Sequence, residues 1–424
     1  VRPRSSGNSA RGGPEPAGRS GWLAAGWCLA TLTWAATGGA GVARAQTLPA
    51  DPITIGGGRV VLGGDVSVTA SPKDKLFFAY GEYEHSTLRE LRVGLSAQVR
   101  AGRRLSLLAE VRSDNLSEVS PFALYARVTP FPGRRLDVQV GRIPPTFGRF
   151  SRLAYSTQNP LVGHPLAYQY LTSLRPDALP ASADELATMR GRGWRSSYTV
   201  GDPGFAPGVP LVSALRWDTG VQVTAGWRAM TATGAVTTGT LSNPRVGDDN
   251  DGRQFAGRLA VAAAPGLEIG ASAARGAFAT RSALDAAGVP GMSGADQLAR
   301  GLDVEYGRGY LVTRAEAIWS EWRIPLAASG RLERLRATSL SVEGRYALLP
   351  GVYTAVRAEH LGFGDIVTTR GTVPWDAPVV RVEIGLGYSL QRNLVVRASL
   401  QLNERDTGRI ASARLPAVQV HYWF

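Results

Sequence analysis

Near its carboxy end the chain alternates apolar and polar residues without a break. Leu394, Val396, Ala398, Leu400 and Leu402 fall on one side, and Val395, Arg397, Ser399, Gln401 and Asn403 on the other. The segment before it repeats the pattern, with Val380, Val382, Ile384, Leu386 and Tyr388 against Arg381, Glu383, Gly385, Gly387 and Ser389. Leu91, Val93, Leu95, Ala97 and Val99 do the same against Arg92, Gly94, Ser96, Gln98 and Arg100. Side chains alternate across a strand, so each segment shows one face to an apolar surrounding and the other to a polar one. Counting back from Phe424 places strands near 414–424, 393–403, 378–389, 351–362, 337–349, 308–320, 297–306, 266–278, 254–264, 233–241, 217–227, 135–142, 121–131, 103–114, 89–101 and 76–84. The weaker stretch Arg59 to Ala70 reads either as an added strand or as an amino-terminal plug.

A soluble sandwich alternates in the same way, so the connections have to decide. Short ones, such as Gly102-Arg103-Arg104, Ala264-Pro265-Gly266 and Leu349-Pro350-Gly351, take turns with longer ones at Ser113–Ser120, Leu241–Gly252, Thr280–Gln297, Pro325–Glu333, Gly362–Asp376 and Arg405–Ala413. Strands running up and down between a tight rim and an elaborated rim produce this rhythm. Aromatic residues near strand ends, among them Trp227, Trp319, Trp322, Tyr346, Tyr353 and Tyr388, fit interfacial girdles. After residue 45 no apolar run approaches the ~18 residues of a membrane helix, so a membrane protein built from this chain has to be a barrel. The expected fold is all-β: a transmembrane antiparallel β-barrel of about 16 strands (16–18) over 76–424, preceded by a segment 46–75. A barrel of that size encloses an aqueous channel unless something fills it.

The amino end explains how such a chain would reach its membrane. Arg2, Arg4, Arg11 and Arg19 precede an apolar stretch from Gly21 to Thr37, and Ala43-Arg44-Ala45 follows as a small-residue site. The apolar core, about 15 residues, suits a secretory signal at 1–45 and is too short for a spanning helix. Removing it takes away the lone cysteine, Cys28, and changes the net charge from +13 to +9. The remaining arginines are spread along strands and not gathered in a tail, which speaks against nucleic acid as a partner.

The chain ends Val418-Gln419-Val420-His421-Tyr422-Trp423-Phe424. A terminal Phe424 with Tyr422 and Val420 in its own register resembles the closing strand that outer-membrane proteins present to the barrel assembly machinery. That resemblance implies the bacterial outer membrane, with outer-membrane lipid around the barrel.

The outlier is the long loop 143–215. Connections beyond about 15 residues carry function or are disordered. This one holds Phe147, Phe150, Tyr168, Tyr170 and Trp194, so it should fold against something; the lumen is the economical place, and an extracellular cap or a subunit-contact loop is the alternative. A short helix is expected inside it, from Ser182 or Asp184 through Met189. The loop opens on Val140-Gly141-Arg142-Ile143-Pro144-Pro145-Thr146-Phe147-Gly148. This motif resembles the strand-end pattern of the phosphate-selective porin O and P family, where a Gly-Arg or Gly-Lys pair precedes Pro and then Phe-Gly. The resemblance implies a 16-stranded channel, usually a homotrimer, with an anion preference and a constriction formed by an inserted loop. That family also uses pore lysines, whereas lysine occurs here only at Lys73 and Lys75.

The candidate constriction residues are Arg149, Arg152, Arg175, Arg190, Arg192 and Arg195, which outnumber the loop's carboxylates. By parity Arg92, Arg112, Arg127, Arg258, Arg314, Arg345, Arg357, Arg381 and Arg397 face the lumen, since each would cost about 2 to 4 kcal/mol in lipid near the midplane. They read as a net-positive wall favouring anions or as a stiffening salt-bridge lattice. The expected function is passive diffusion of small hydrophilic or anionic solutes. One alternative is a structural or secretion-associated barrel with a filled lumen. Another is a barrel hydrolase, which predicts a histidine and a carboxylate converging at the outer rim. His85, His164, His360 and His421 are too scattered to read as a metal cluster, and no cofactor motif or enzyme signature occurs.

Overall fold

The computed structural model describes residues 49, 51–82, 85–131, 135–152, 157–213, 216–245, 247, 249–289, 295–327 and 330–424. The signal expected at 1–45, with Cys28, lies outside them. Among the described residues, sixteen antiparallel strands form one closed sheet: β1 Val60–Ala70, β2 Glu90–Arg100, β3 Leu105–Asp114, β4 Glu118–Val128, β5 Arg135–Ile143, β6 Asp218–Trp227, β7 Met230–Thr237, β8 Gln254–Ala264, β9 Leu267–Ala277, β10 Asp296–Arg308, β11 Leu311–Leu326, β12 Arg331–Leu349, β13 Val352–Phe363, β14 Val379–Gln391, β15 Leu394–Asp406 and β16 Ile410–Trp423. Each pairs with its chain neighbour, and β1 closes the circle on β16 with Asp65 opposite Trp423 and Ala70 opposite Val418. Closure leaves no unpaired edge, which is the condition for a sheet to stand in lipid. No described helix is long and apolar enough to cross a membrane.

The parity of the strands follows the alternation. On β14, Val380, Ile384, Leu386 and Tyr388 point outward and are exposed, while Arg381 and Glu383 point inward and are fully buried. Outward rings at Trp227, Tyr310, Tyr346 and Tyr388 sit beside the short turns and form a girdle there. Other strand-end aromatics depart from the girdle reading. Trp322 and Tyr353 face inward and are buried, Trp322 against Phe278 and Trp375, because those rings fill the space beside the infolded loop.

Two corrections concern the strands. Segment 76–84 is no barrel strand, and its place is taken by Val60–Ala70, so the barrel starts at β1. Phe78 and Ala79 are both fully buried, so successive residues of that segment pack in one surrounding, whereas a barrel strand separates two. A three-residue strand, Ile53–Ile55, folds back on the start of β1. Three connections expected to be long are short. Residues 115–117, 327–330 and 407–409 suffice because β4, β11, β12, β15 and β16 run further towards these connections than the apolar alternation suggests. Their upper ends leave the lipid zone, so polar residues are tolerated on both faces. The tight turns, such as 228–229, 265–266, 309–310 and 392–393, share one rim with Phe424, which makes that rim periplasmic and the other extracellular.

Candidate functional site

The connection from β5 to β6 enters the barrel. Pro144 and Pro145 follow β5 directly, and a chain without those amide donors cannot extend the ladder. The turn-in is made at Gly148, whose φ of +65° favours glycine and whose Cβ position is blocked by the Tyr168 hydroxyl and the Glu316 carboxylate. Its amide donates to Ser272 Oγ (3.0 Å), the Arg149 amide to Glu316 (2.8 Å), and Tyr168 Oη also to Glu316 (2.8 Å). The Arg149 guanidinium reaches across to Glu268 (2.9 Å) and Glu305 (2.7 Å). Arg152 ends the short turn Phe150–Arg152, and its side chain lies outside the described residues.

A second anchor lies on β12 to β14. The Gly163 amide donates to Glu383 (2.9 Å) and its carbonyl accepts from Arg357 (2.7 Å), while the Leu166 amide donates to Glu359 (2.7 Å). A side chain at Gly163 would collide with Gln401 and Glu383, so the loop backbone lies directly on the wall. Arg357 pairs with Glu343 (3.2 Å), Glu359 (3.2 Å) and Glu383 (2.8 Å), and it is wholly buried with them beneath the loop. Burying such charges is tolerable only because each is paired and hydrogen-bonded. Apolar packing completes the seat: Leu166, Tyr168, Tyr170, Leu174, Leu186 and Tyr198 form one core with Phe78, Trp322 and Trp375.

Next to this anchor His164 lies edge-on to Phe150, and its carbonyl accepts from Arg381 (3.2 Å). Burial, reinforced by the positive charges of Arg92, Arg357, Arg112 and Arg381, pushes its pKa from 6.5 down to about 3. The imidazole is therefore neutral in the fold, and its contribution to stability is complete above pH 6.5 and is lost as pH falls through about 3. Melting temperature measured against pH should drop more steeply across that window in the parent than in His164→Leu, which has nothing to protonate. Parallel curves would remove this role.

Above the anchors the loop builds an extracellular tier. The expected helix is present at Ala183–Thr188, with Ser182 Oγ accepting from the Glu185 amide (3.2 Å) as its cap. Asp376, buried between β13 and β14, accepts from the amides of Ser173 (2.6 Å) and Gly191 (2.7 Å). Arg175 is fully buried, bound to Asp177 (2.9 Å) and to the carbonyls of Ser196 (3.2 Å) and Gly204, so it serves the loop's own fold.

The wall arginines form a paired lattice. Arg92 bonds Glu90 (3.0 Å) and Asp114 (2.9 Å), Arg112 bonds Glu110 (3.0 Å), Arg127 bonds Asp137, Arg258 bonds Asp303 (2.5 Å), and Arg314 bonds Glu305 (2.7 Å) and Glu343 (2.9 Å). Arg381 is held by Asn403 (2.6 Å) and backbone carbonyls, Arg397 by Tyr353 (3.0 Å) and Gln419 (2.8 Å), and Arg345 lies over the Tyr353 ring at 4.3 Å. Filling is uneven along the lumen. At the level of the loop Arg357, Arg381, Glu383, Arg92 and Arg112 are buried, whereas in the periplasmic half the inward side chains of Ser96, Arg100, Arg127 and Arg345 stay exposed.

Cations without carboxylate partners gather at the extracellular mouth. Arg190, Arg192 and Arg195 meet Lys75 and Arg405 around a cavity of about 710 Å³ that also touches Phe77, Trp194 and Phe205. A second cavity of about 680 Å³ next to it adds Lys73 and Arg89. The sequence reading missed the lysines, Phe77 and Phe205 as members of this group. The signal available was that both lysines of the chain sit two residues apart beside Phe77.

His421 Nε2 approaches Asp65 at 3.7 Å on the inner face near the periplasmic rim, with Ser67 opposite in register. No described serine hydroxyl donates to it. His360 faces outward on β13, and the side chain of His85 lies outside the described residues. Among the described residues no group of His, Cys, Asp or Glu could hold a metal ion.

In sequence, no family model and no curated protein matches the chain. In structure it is similar to the Salmonella typhi OmpF in complex with daunomycin, at 11% identity and a TM-score of 0.52, over 86% of this chain and 97% of that one. The fold is that of the outer-membrane porins. Outer-membrane expressed OmpT of Vibrio cholerae superposes over 88% of this chain and 100% of its own, at 11% identity and a TM-score of 0.51. The anion-selective porin from Comamonas acidovorans does so over 86% and 99%, at 12% identity and a TM-score of 0.50. An apolar outer band, a closed sheet and this fold make the chain a porin-like barrel of the bacterial outer membrane.

Proposed function

We propose that this porin-like barrel is a channel for passive diffusion of small hydrophilic solutes, with a preference for anions. The observation that carries the reading is the uneven filling of the lumen: the loop seals the wall at its own level and leaves the polar side chains of Ser96, Arg100, Arg127 and Arg345 exposed in the periplasmic half. Anion preference rests on the mouth, where Lys73, Lys75, Arg89, Arg192 and Arg195 are exposed and unpaired among the described residues. Such a group raises the local anion concentration at the entrance. Arg149 and Arg175 are cancelled by Glu268, Glu305 and Asp177, so the preference is assigned to the entrance and not to these two constriction candidates. Likeness to the phosphate-selective porins is supported by the Gly-Arg-Ile-Pro-Pro-Thr-Phe-Gly turn, with the lysines at the mouth instead of in the pore.

The chain is proposed to enter the membrane through the barrel assembly machinery, which would read Phe424, Tyr422 and Val420. Phe424 is locked to Gly64 by a reciprocal backbone pair of 2.9 and 3.1 Å. A homotrimer is supported by a concave outward patch, where Arg300, Glu321 and Arg336 sit among Ala271, Ala273 and Leu302. Lipid chains hydrate such charges poorly.

Single-channel recording of the refolded protein in planar bilayers tests the reading, with selectivity taken from the reversal potential across a salt gradient. Stable openings with an anion-selective potential are expected, and changing Lys73, Lys75, Arg192 and Arg195 to glutamine together should move that potential towards zero. Absence of conductance from a correctly folded barrel would overturn the channel. It would select the second reading, a structural barrel with a filled lumen, which the complete burial of Arg357 and Arg381 favours.

A further inference from the structure

The mouth has a chemistry that a diffuse cationic entrance does not need. Among the residues around its larger cavity are five cations, Lys75, Arg190, Arg192, Arg195 and Arg405, and no carboxylate. Held together without counter-charges, they repel one another, and an anion placed among them relieves that repulsion. Carboxylates do occur nearby, and one of them, Asp74, lines the adjoining cavity and not the larger one. Asp74 accepts from the amides of Leu76 (3.1 Å) and Ala79 (2.8 Å), and Asp376 accepts from the Gly191 amide. Both pin backbone, so the cation-bearing segments are held in place around a cavity whose charged lining is uniformly positive.

Aromatic rings lie among these cations. Phe77 stacks on Trp194 with centroids 3.6 Å apart and planes 9° from parallel, and the Arg195 guanidinium lies 4.1 Å from the centroid of Phe205. Phe205 is 59% exposed, a costly position for a phenyl ring unless something covers it. Phe77 adopts a φ of +59°, a left-handed conformation that a bulky residue rarely takes, so the turn spends backbone strain to place that ring. The half-buried Arg190 has an Nε with no hydrogen-bond partner. A cavity of about 710 Å³ is of the size that small organic ligands occupy.

From these observations we infer that the extracellular mouth binds an aromatic anion with more than one carboxylate, its ring covering Phe205 beside the Phe77–Trp194 stack and its carboxylates gripped by Arg190, Arg192, Arg195 and Lys75. Guanidinium groups take carboxylates in paired hydrogen bonds, and the guanidinium-capped rings offer the bound ring a flat apolar face. This deepens the channel reading by giving the entrance a substrate class, and rests on it only for the site's part in permeation.

The test is calorimetric titration of the refolded full chain in detergent at low salt, with benzene-1,3,5-tricarboxylate as the probe and cyclohexane-1,3,5-tricarboxylate as its ringless match. The aromatic probe should bind measurably and more tightly than the ringless one, and added salt should weaken both. Arg192→Gln with Arg195→Gln should cost about tenfold or more in affinity, the loss expected from charge-assisted hydrogen bonds. Phe205→Leu, at an exposed position that the fold tolerates, should abolish the difference between the two probes. Equal binding of the two probes to the parent, or binding unchanged in the arginine variant, would overturn the inference. A barrel that binds the probe yet does not conduct keeps this site and loses the channel; one that conducts without binding does the reverse.

Discussion

Arg357→Met should undo the seat of the infolded loop. The side chain of Met fits the space of the arginine stem, but Glu359 and Glu383 would then lie buried without their ion-pair partner, and Glu343 would keep only Arg314 (2.9 Å). Stripping one partner from a buried ion pair costs about 3–5 kcal/mol, and here three carboxylates lose the same partner. The Gly163 carbonyl loses one of its two donors and keeps Asn159 Nδ2 (2.8 Å), so the loss falls where the loop lies closest to the wall. A thermal melt should show the loss, and trypsin should cut at Arg190 and Arg192 in the folded variant faster than in the parent. Adding Glu359→Gln and Glu383→Gln should recover most of the stability by removing the unpaired charge. A single variant that melts with the parent would mean that the three carboxylates find other partners and that the cluster does not hold the loop.

Replacing residues 144–217 by an Asn-Gly turn should raise single-channel conductance several-fold. Ile143 and Asp218 are cross-strand partners in adjacent strands, so a two-residue hairpin can join them without disturbing the ladder. The wall residues now sealed beneath the loop, Arg357, Arg381 and Glu383, would meet water, which hydrates them well. A sixteen-stranded barrel without a filling holds an aqueous channel, so the opening is set by what the loop occupies. Conductance unchanged by the deletion would place the constriction on the wall itself and would leave the loop a purely structural element.

Much of this architecture was legible in the chain. Period-two alternation identified which face of each strand meets lipid, because apolar outer band and polar lumen are opposite solvents and a one-residue slip would exchange them. The start of the loop helix at Ser182 is a local signal with a local cause, and it stands where the residues put it. The reading failed at Leu76-Phe77-Phe78-Ala79-Tyr80, a run with strand-like composition. In the folded chain Phe78 and Ala79 are both buried in the lumen core, and no lipid face exists there to impose alternation.

The roles of the arginines were decided only by the tertiary structure. Arg149 and Arg192 carry the same charge on the same loop, yet Arg149 finds Glu268 and Glu305, 119 and 156 residues further along the chain, while Arg192 is left in the mouth with Lys75. A wall that reads as positive when its arginines are counted is an ion-pair lattice once carboxylates on neighbouring strands are in register with them. The sequence by itself determined the barrel and its faces, since those depend on local conformation and on the solvent each side chain meets; that the long loop enters the lumen was decided by the tertiary structure. Which charges are cancelled, which stay free, and therefore where an anion would first be held, depend on Coulomb interactions that act over a few ångströms, and only the closed fold brings residues from distant strands within that reach.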